Sequence, residues 1–201
     1  MELTIETLAA EPRWQLDQTR ALPGRSRGDL LGPWGVNVGR RFGPTALQRV
    51  RARLPSPLDR LSESLGAKDW LPVYAQLLVT EAIVDELLGG DMRALYPLLV
   101  EDTRAGMGRV HLALARSLGA GRALRLGPRA FRKIHERGSV DCEVSGRTAR
   151  LSFTGTPLFA QPTWRLLQLF ATRTLLELAG TPGTAVGESG GPEIFIVRVT
   201  W

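Results

Sequence analysis

The chain has 201 residues, enough for one full hydrophobic core and too few for two comfortable domains. Its 43% hydrophobic and 23% charged residues match ordinary globular usage, which excludes a largely disordered chain. The net charge of +6 rests on 26 basic residues, of which only Lys68 and Lys133 are lysine, and the single cysteine, Cys142, excludes both an intramolecular disulfide and a cysteine-based zinc site.

The arginine excess has two readings: the imprint of a GC-rich coding sequence, or a surface suited to planar, two-pronged contacts with carboxylates and phosphates. The N-terminus, Met-Glu-Leu-Thr-Ile-Glu, lacks the positive-then-apolar order of a signal peptide. No run approaches the roughly 18 apolar residues of a spanning helix. A cytoplasmic protein without a membrane span is expected.

Residues 1–27 read as an N-terminal arm: a short strand over Leu3–Leu8, then an aperiodic stretch with Trp14, Pro23 and Gly24. Residues 28–201 read as one domain. Asp29 is a candidate cap for a first helix carrying Leu30, Leu31, Trp34, Val38 and Phe42. Pro44 suits the first turn of a second helix, which runs to Arg53 and stops at Pro55-Ser56-Pro57. Trp70 to Leu88 is apolar nearly all round, as in the central helix of a bundle. Asp91 caps a fourth helix to about Thr103, a fifth spans Gly108–Gly119, and a sixth covers Gly121 to about Glu136, kinked or split at Gly127-Pro128.

After Gly138 the apolar period changes from near 3.6 to 2. Val140, Cys142 and Val144 alternate with Asp141 and Glu143, Ser145-Gly146 turns, and Ala149, Leu151 and Phe153 alternate again, which predicts a β-hairpin. A helix with Trp164, Leu167, Phe170, Leu175 and Leu178 on its inner side ends at Gly180. Thr181–Pro192 is a glycine-rich loop with room for a short strand, and Glu193–Trp201 closes the chain as a strand. Helical block, hairpin, helix and final strand together predict an α+β fold in which the helices pack on a small antiparallel sheet.

Several phrases in this order resemble an uncharacterised family of paralogous myxobacterial proteins of about this length: Gly43-Pro44-Thr45-Ala46-Leu47, Arg122-Ala123-Leu124-Arg125 leading to Pro128-Arg129-Ala130-Phe131, the hairpin after Gly138, and the closing strand to Trp201. The resemblance covers residues 28–201 and implies no biochemical role. More distantly, helices followed by hairpin, helix and strand resemble the heme–nitric-oxide-binding fold, the vinyl-reductase-like ligand-binding domains and transport-complex subunits on the same plan. In the heme-binding members an axial histidine precedes the sheet and a Tyr-x-Ser-x-Arg strand holds the propionates. Here His111 lies on a predicted helix, and the comparable strand reads Leu151-Ser152-Phe153-Thr154-Gly155, without Tyr or Arg. The resemblance thus implies a sensor-like or scaffold-like fold with a cleft between helices and sheet, and no heme.

No catalytic or metal motif stands out. Gly24-Arg25-Ser26-Arg27-Gly28 and Gly187-Glu188-Ser189-Gly190-Gly191 match the serine-hydrolase pattern Gly-x-Ser-x-Gly, but that chemistry needs the serine on a strand-to-helix turn beside a histidine base. Neither context fits, so both read as loops. His111 and His135 read as structural, His135 as a cation near a helix C-terminus.

The strongest signal is charge. Arg104–Arg137 holds nine basic side chains against one acid, Glu136. Within it Arg122, Arg125, Arg129, Arg132 and Lys133 recur at spacings of three and four, on one helix face. Glu81, Asp85, Glu86, Glu101 or Asp102 are the internal acids that could neutralise them. Otherwise the face is a docking surface, and a non-enzymatic interaction or sensor module with an acidic protein partner is expected. Small-ligand binding in the helix–sheet cleft is the alternative, and an anionic small molecule is a further candidate for the basic face. Nonspecific nucleic-acid binding is a third reading, with only Phe131 for stacking. Homo-oligomerisation stays open.

Overall fold

The computed structural model describes residues 2–60 and 69–201. In chain order the elements are β1 (Glu2–Leu3), α1 (Ile5–Ala10), α2 (Leu16–Arg20), β2 (Arg25–Arg27), α3 (Gly32–Phe42), α4 (Pro44–Ala52), β3 (Trp70–Pro72), α5 (Tyr74–Leu87), α6 (Leu95–Arg125), α7 (Gly127–Ile134), β4 (Ser139–Ser145), β5 (Thr148–Thr154), α8 (Pro162–Leu178), β6 (Thr184–Gly191) and β7 (Ile194–Thr200). The fold is α+β, as expected. The chain forms two compact units. A sheet unit takes Met1–Trp14, Tyr96–Arg132 and Gly138–Trp201, and a helical unit takes Gln15–Leu95 and Lys133–Arg137.

In the sheet unit five antiparallel strands follow the order β1-β6-β7-β5-β4. The hairpin register pairs Val140 with Phe153, Cys142 with Leu151 and Val144 with Ala149. The next pairing sets Val199, Val197 and Phe195 beside Ala149, Leu151 and Phe153. One face is therefore apolar and covered, while Asp141, Glu143, Arg150 and Arg198 alternate onto the other. On that outer face Arg198 pairs with Glu188 at 2.7 Å. The helix α8 is buried along most of its length, with Trp164, Leu169 and Phe170 fully enclosed. Gly138, which opens the hairpin, has φ +86°, and a Cβ there would stand 2.6 Å from Phe159 Cζ. Only glycine meets both demands.

Local chemistry moved several boundaries. The strand expected over Leu3–Leu8 stops at Leu3, because Thr4 Oγ1 accepts from the Thr7 N–H (3.2 Å) and Thr7 Oγ1 from the Thr4 N–H (2.8 Å), a reciprocal cap that starts α1. The first helix begins at Gly32 after a 3-10 turn over Gly28–Leu30. The third helix begins at Tyr74, not near Trp70. Pro72 holds the residue before it extended, and Trp70–Pro72 instead pair with Arg25–Arg27 in a two-stranded ribbon. Asp91 caps a 3-10 turn, accepting from the Arg93 N–H at 2.9 Å, and α6 then runs on as one long helix where three were expected. An isolated glycine costs a helix only about 1 kcal/mol against alanine, too little to end it without a proline. The break comes at Leu126, ahead of Gly127-Pro128. The glycine-rich segment after Thr181 is an eight-residue strand, β6, bulged between Ser189 and Gly191.

Candidate functional site

The basic residues lie on the outer side of a helix pair. Across the break at Leu126, Ala120, Ala123, Leu124 and Phe131 are buried at three- and four-residue steps, with Gly127 and Pro128 half-buried between them. Arg122, Arg125, Arg129 and Arg132 occupy the complementary exposed positions, and Leu126 among them is 52% exposed. Lys133 is exposed as well, and belongs to the helical unit. None of the five forms a hydrogen bond or ion pair with a described residue. Two acids are engaged elsewhere: Glu86 holds Arg53 at 2.5 Å and Arg49 at 3.6 Å, and Glu136 holds Arg25 at 2.9 Å. The Arg25 guanidinium keeps the Glu136 carboxyl below the usual carboxylate range.

The strand compared above with the heme cradle does not fit that group. Leu151 and Phe153 point into the covered face, and Phe153 centres an aromatic cluster: Trp164 at 5.2 Å, Phe159 at 5.8 Å, Phe131 and Phe195 at 6.2 Å. Edge-on ring packing fills this place with carbon and offers a propionate no donor. Ser152 lies on the opposite face, where Arg150 donates to it at 2.6 Å. The side chain of His111 lies outside the described residues. Among the described residues no group of three or more His, Cys, Asp and Glu could hold a metal ion. Within the sheet unit, the space between helices and sheet around Phe153 is core.

Both Gly-x-Ser-x-Gly segments are strands, not loops. Ser26, on β2, is 1% exposed and faces His135 across an isolated antiparallel bridge, so the sequence's serine and histidine do meet. Ser26 Oγ nevertheless has no hydrogen-bond partner, so the nucleophile–base bond of a hydrolase is missing. Burial pushes the His135 imidazole down to about 4, which keeps it neutral and overturns its reading as a helix-terminal cation. Ser189, on β6, accepts from the buried Arg165 Nη2 at 3.2 Å, while Arg165 Nε donates to the Phe159 carbonyl at 2.8 Å. Desolvation lowers the Arg165 pKa and nearby Glu11 opposes it. Arg165 is structural, and the one arginine inside Trp164–Leu167 was the available signal for it. Cys142 is half-buried, its thiol pushed up by burial.

The helical unit contains a cleft of about 560 Å³ that periodicity could not reveal, since it is assembled from three distant segments. Leu16 and Arg20 of α2, Arg53–Pro55 after α4, and Leu78, Glu81, Ala82 and Asp85 of α5 line it. Leu16 is 46% exposed. Arg53 is tied to Glu86, whereas Arg20 has no hydrogen bond or ion pair to a described residue.

The architecture is that of the H-NOX domains. A point mutant of the Fe(II) unliganded H-NOX protein from K. algicida superimposes with a TM-score of 0.64 at 8% identity, over 87% of this chain and 95% of that one. The unmutated K. algicida protein gives 0.61 at 9%, and a Cs H-NOX variant 0.62 at 6%, each over 87% of this chain and 95% of its own. At such identities the likeness is one of fold. Neither a family model nor a curated protein matches the sequence.

Proposed function

We propose that the chain is a small-ligand-binding domain of sensor type, built on the H-NOX plan with a ligand other than heme. The fold likeness supports a ligand-binding module, and the apolar Leu151–Phe153 face supports the exclusion of heme. The helical-unit cleft falls within the roughly 300–1,000 Å³ of small-molecule sites, so it is the candidate pocket. This reading takes the place of the helix–sheet cleft expected from the sequence.

An absorbance spectrum of the purified chain, before and after addition of hemin, tests the first half. No Soret band is expected, and a stoichiometric one would overturn the reading. Native mass spectrometry tests the second half: retention of a small molecule is expected, and a chain that neither retains nor takes up any small molecule would refute it.

A second reading concerns output. The exposed row Arg122, Arg125, Arg129 and Arg132, without a bond to any described residue, supports docking of an acidic protein partner, with Leu126 adding apolar contact. A nucleic-acid partner would show a steep fall of affinity with salt, and co-purification from the native cell separates the two.

A further inference from the structure

The five-stranded sheet ends at β4, and its hydrogen-bond pattern fixes which main-chain groups that edge offers. The Trp201 N–H donates to the Arg147 carbonyl at 3.0 Å and the Gly155 N–H to the Glu193 carbonyl at 3.1 Å, so the odd-numbered residues along β5 turn their main chain to β7. The even-numbered ones, from Thr148 to Thr154, bond β4 through their register partners Ser145, Glu143, Asp141 and Ser139. Val140, Cys142 and Val144 are left with N–H and C=O groups directed away from the sheet. These groups meet no partner among the described residues.

Edge strands are commonly shielded by proline, lysine, a bulge or brevity. β4 contains no proline or lysine, and its seven residues pair with β5 without a register shift. Its safeguard is acidic: Asp141 and Glu143 stand exposed on the outer face. Arg150 lies opposite Glu143 but donates to Ser152 at 2.6 Å, and neither acid has an ion-pair partner among the described residues. Antiparallel pairing of β4 with a second β4 through two or more of its edge residues sets acid opposite acid, which disfavours a second copy. A strand with bases at those places meets attraction instead.

The covered side of the same edge carries the opposite charge. A Cβ at Gly121 would stand 3.2 Å from Val144 Cγ1, so the end of α6 runs beside β4. Arg125 follows one turn later on the same helix face. Burial pushes the Cys142 thiol up and the Arg125 charge opposes it, so the guanidinium acts on the middle of the strand. Arg125 is exposed and has no hydrogen bond or ion pair to a described residue.

We propose that β4 accepts an added antiparallel strand from a partner protein, an extended segment alternating as apolar, basic, acidic, basic, apolar. Its main chain bonds Val140, Cys142 and Val144, its bases lie beside Asp141 and Glu143, and its acid meets Arg125. Its apolar residues continue the covered face beside Val140 and Val144. This goes beyond the ligand-binding role and shares only Arg125 with the docking row.

The test titrates the full chain with the end-capped peptide Thr-Val-Lys-Glu-Lys-Val-Thr and its swapped form Thr-Val-Glu-Lys-Glu-Val-Thr, following amide exchange by NMR. The first peptide is expected to bind and to slow exchange at Val140, Cys142 and Val144. The swapped form should bind about tenfold more weakly, since three cross-strand charge pairs turn from attraction to repulsion. Cys142→Pro removes the central edge donor and leaves the β4–β5 bonds in place, so it should abolish binding, whereas Cys142→Ala should bind as wild type. Should the proline variant fail to fold, Asp141→Asn/Glu143→Gln decides, and it should narrow the preference between the two peptides. No binding of the first peptide, equal binding of both, an unchanged preference in the Asn/Gln variant, or binding without protection of those three amides overturns the proposal. If only an oligoglutamate binds and those amides stay unprotected, the arginine row is a docking surface and strand addition falls.

Discussion

Gly187 lies against the ring of Phe195: a Cβ at position 187 would stand 2.6 Å from Phe195 Cε2 and 2.7 Å from its Cζ. The same Cβ would come within 3.3 Å of Leu3 Cβ on β1. The glycine lets the ring close the sheet's covered face between β6 and β7, and this is why a segment reading as a loop is a strand. Gly187→Val should therefore destabilise the chain by about 1–3 kcal/mol through overpacking. Chemical denaturation measures it, and an unchanged midpoint would show that Phe195 has room to move.

The aromatic cluster beneath the hairpin should carry a large share of the stability. Phe159 is fully buried, with Trp164 at 4.7 Å, Phe153 at 5.8 Å and Phe131 at 5.9 Å. Phe159→Ala leaves a void that rigid neighbours cannot collapse into, and about 3–5 kcal/mol should be lost. Loss of near-ultraviolet dichroism well below the wild-type denaturation midpoint would report it. A cost below about 1 kcal/mol would mean the cluster repacks.

How much of this was legible depended on whether the signal was local. The hairpin register from Val140 to Phe153 follows from alternation, because it is a two-sided pattern between one covered and one open face, whereas α8 is buried nearly all round from Pro162 to Leu167, well beyond the predicted stripe. The onset of α5 was missed because Pro72 outweighed an apolar run, and β6 because Gly187, packed on the Phe195 ring, and Gly190, packed on Ile194, look like turn residues. Exposure of Arg122, Arg125, Arg129 and Arg132 was readable from spacing alone. The cleft was not: Arg20 and Asp85 have no sequence relationship, and only the packing of α2, α4 and α5 brings their segments to one wall.

The burial of His135 has a pH consequence. Its ordinary value is 6.5 and its folded value about 4, so below pH 6.5 the unfolded chain takes up a proton that the folded chain refuses. Stability is full above about pH 6.5 and declines as pH falls toward 4, by at most about 3 kcal/mol from this group. His135→Gln, which cannot titrate, should flatten that slope. Denaturant titrations at a series of pH values compare the two, and parallel slopes would show that other groups set the acid response.

Arg165 should resist conservative replacement. Its guanidinium spans two acceptors, the Phe159 carbonyl and Ser189 Oγ, and sits 5.6 Å from the Phe195 ring centre. A lysine ammonium cannot donate along both directions from one plane. Arg165→Lys should cost about 1–3 kcal/mol, since an acceptor in a buried setting is left unmet. A melting curve indistinguishable from wild type would mean that water or Glu11 compensates.

The exposed arginine row permits a cleaner separation of stability from binding. Arg125 and Arg129 are exposed and have no bond to a described residue, so reversing both leaves no buried group unpaired. Replacement also relieves like-charge repulsion along the helix pair. The Arg125→Glu/Arg129→Glu double variant should thus keep its stability within about 0.5 kcal/mol of wild type, or gain slightly. If the row is where an acidic protein docks, the same variant should lose that partner in co-purification. Such a loss should come with full retention of any small molecule in the helical unit. A double variant that unfolds would place these arginines in the folding energetics, and one that keeps its partners would move the docking surface elsewhere.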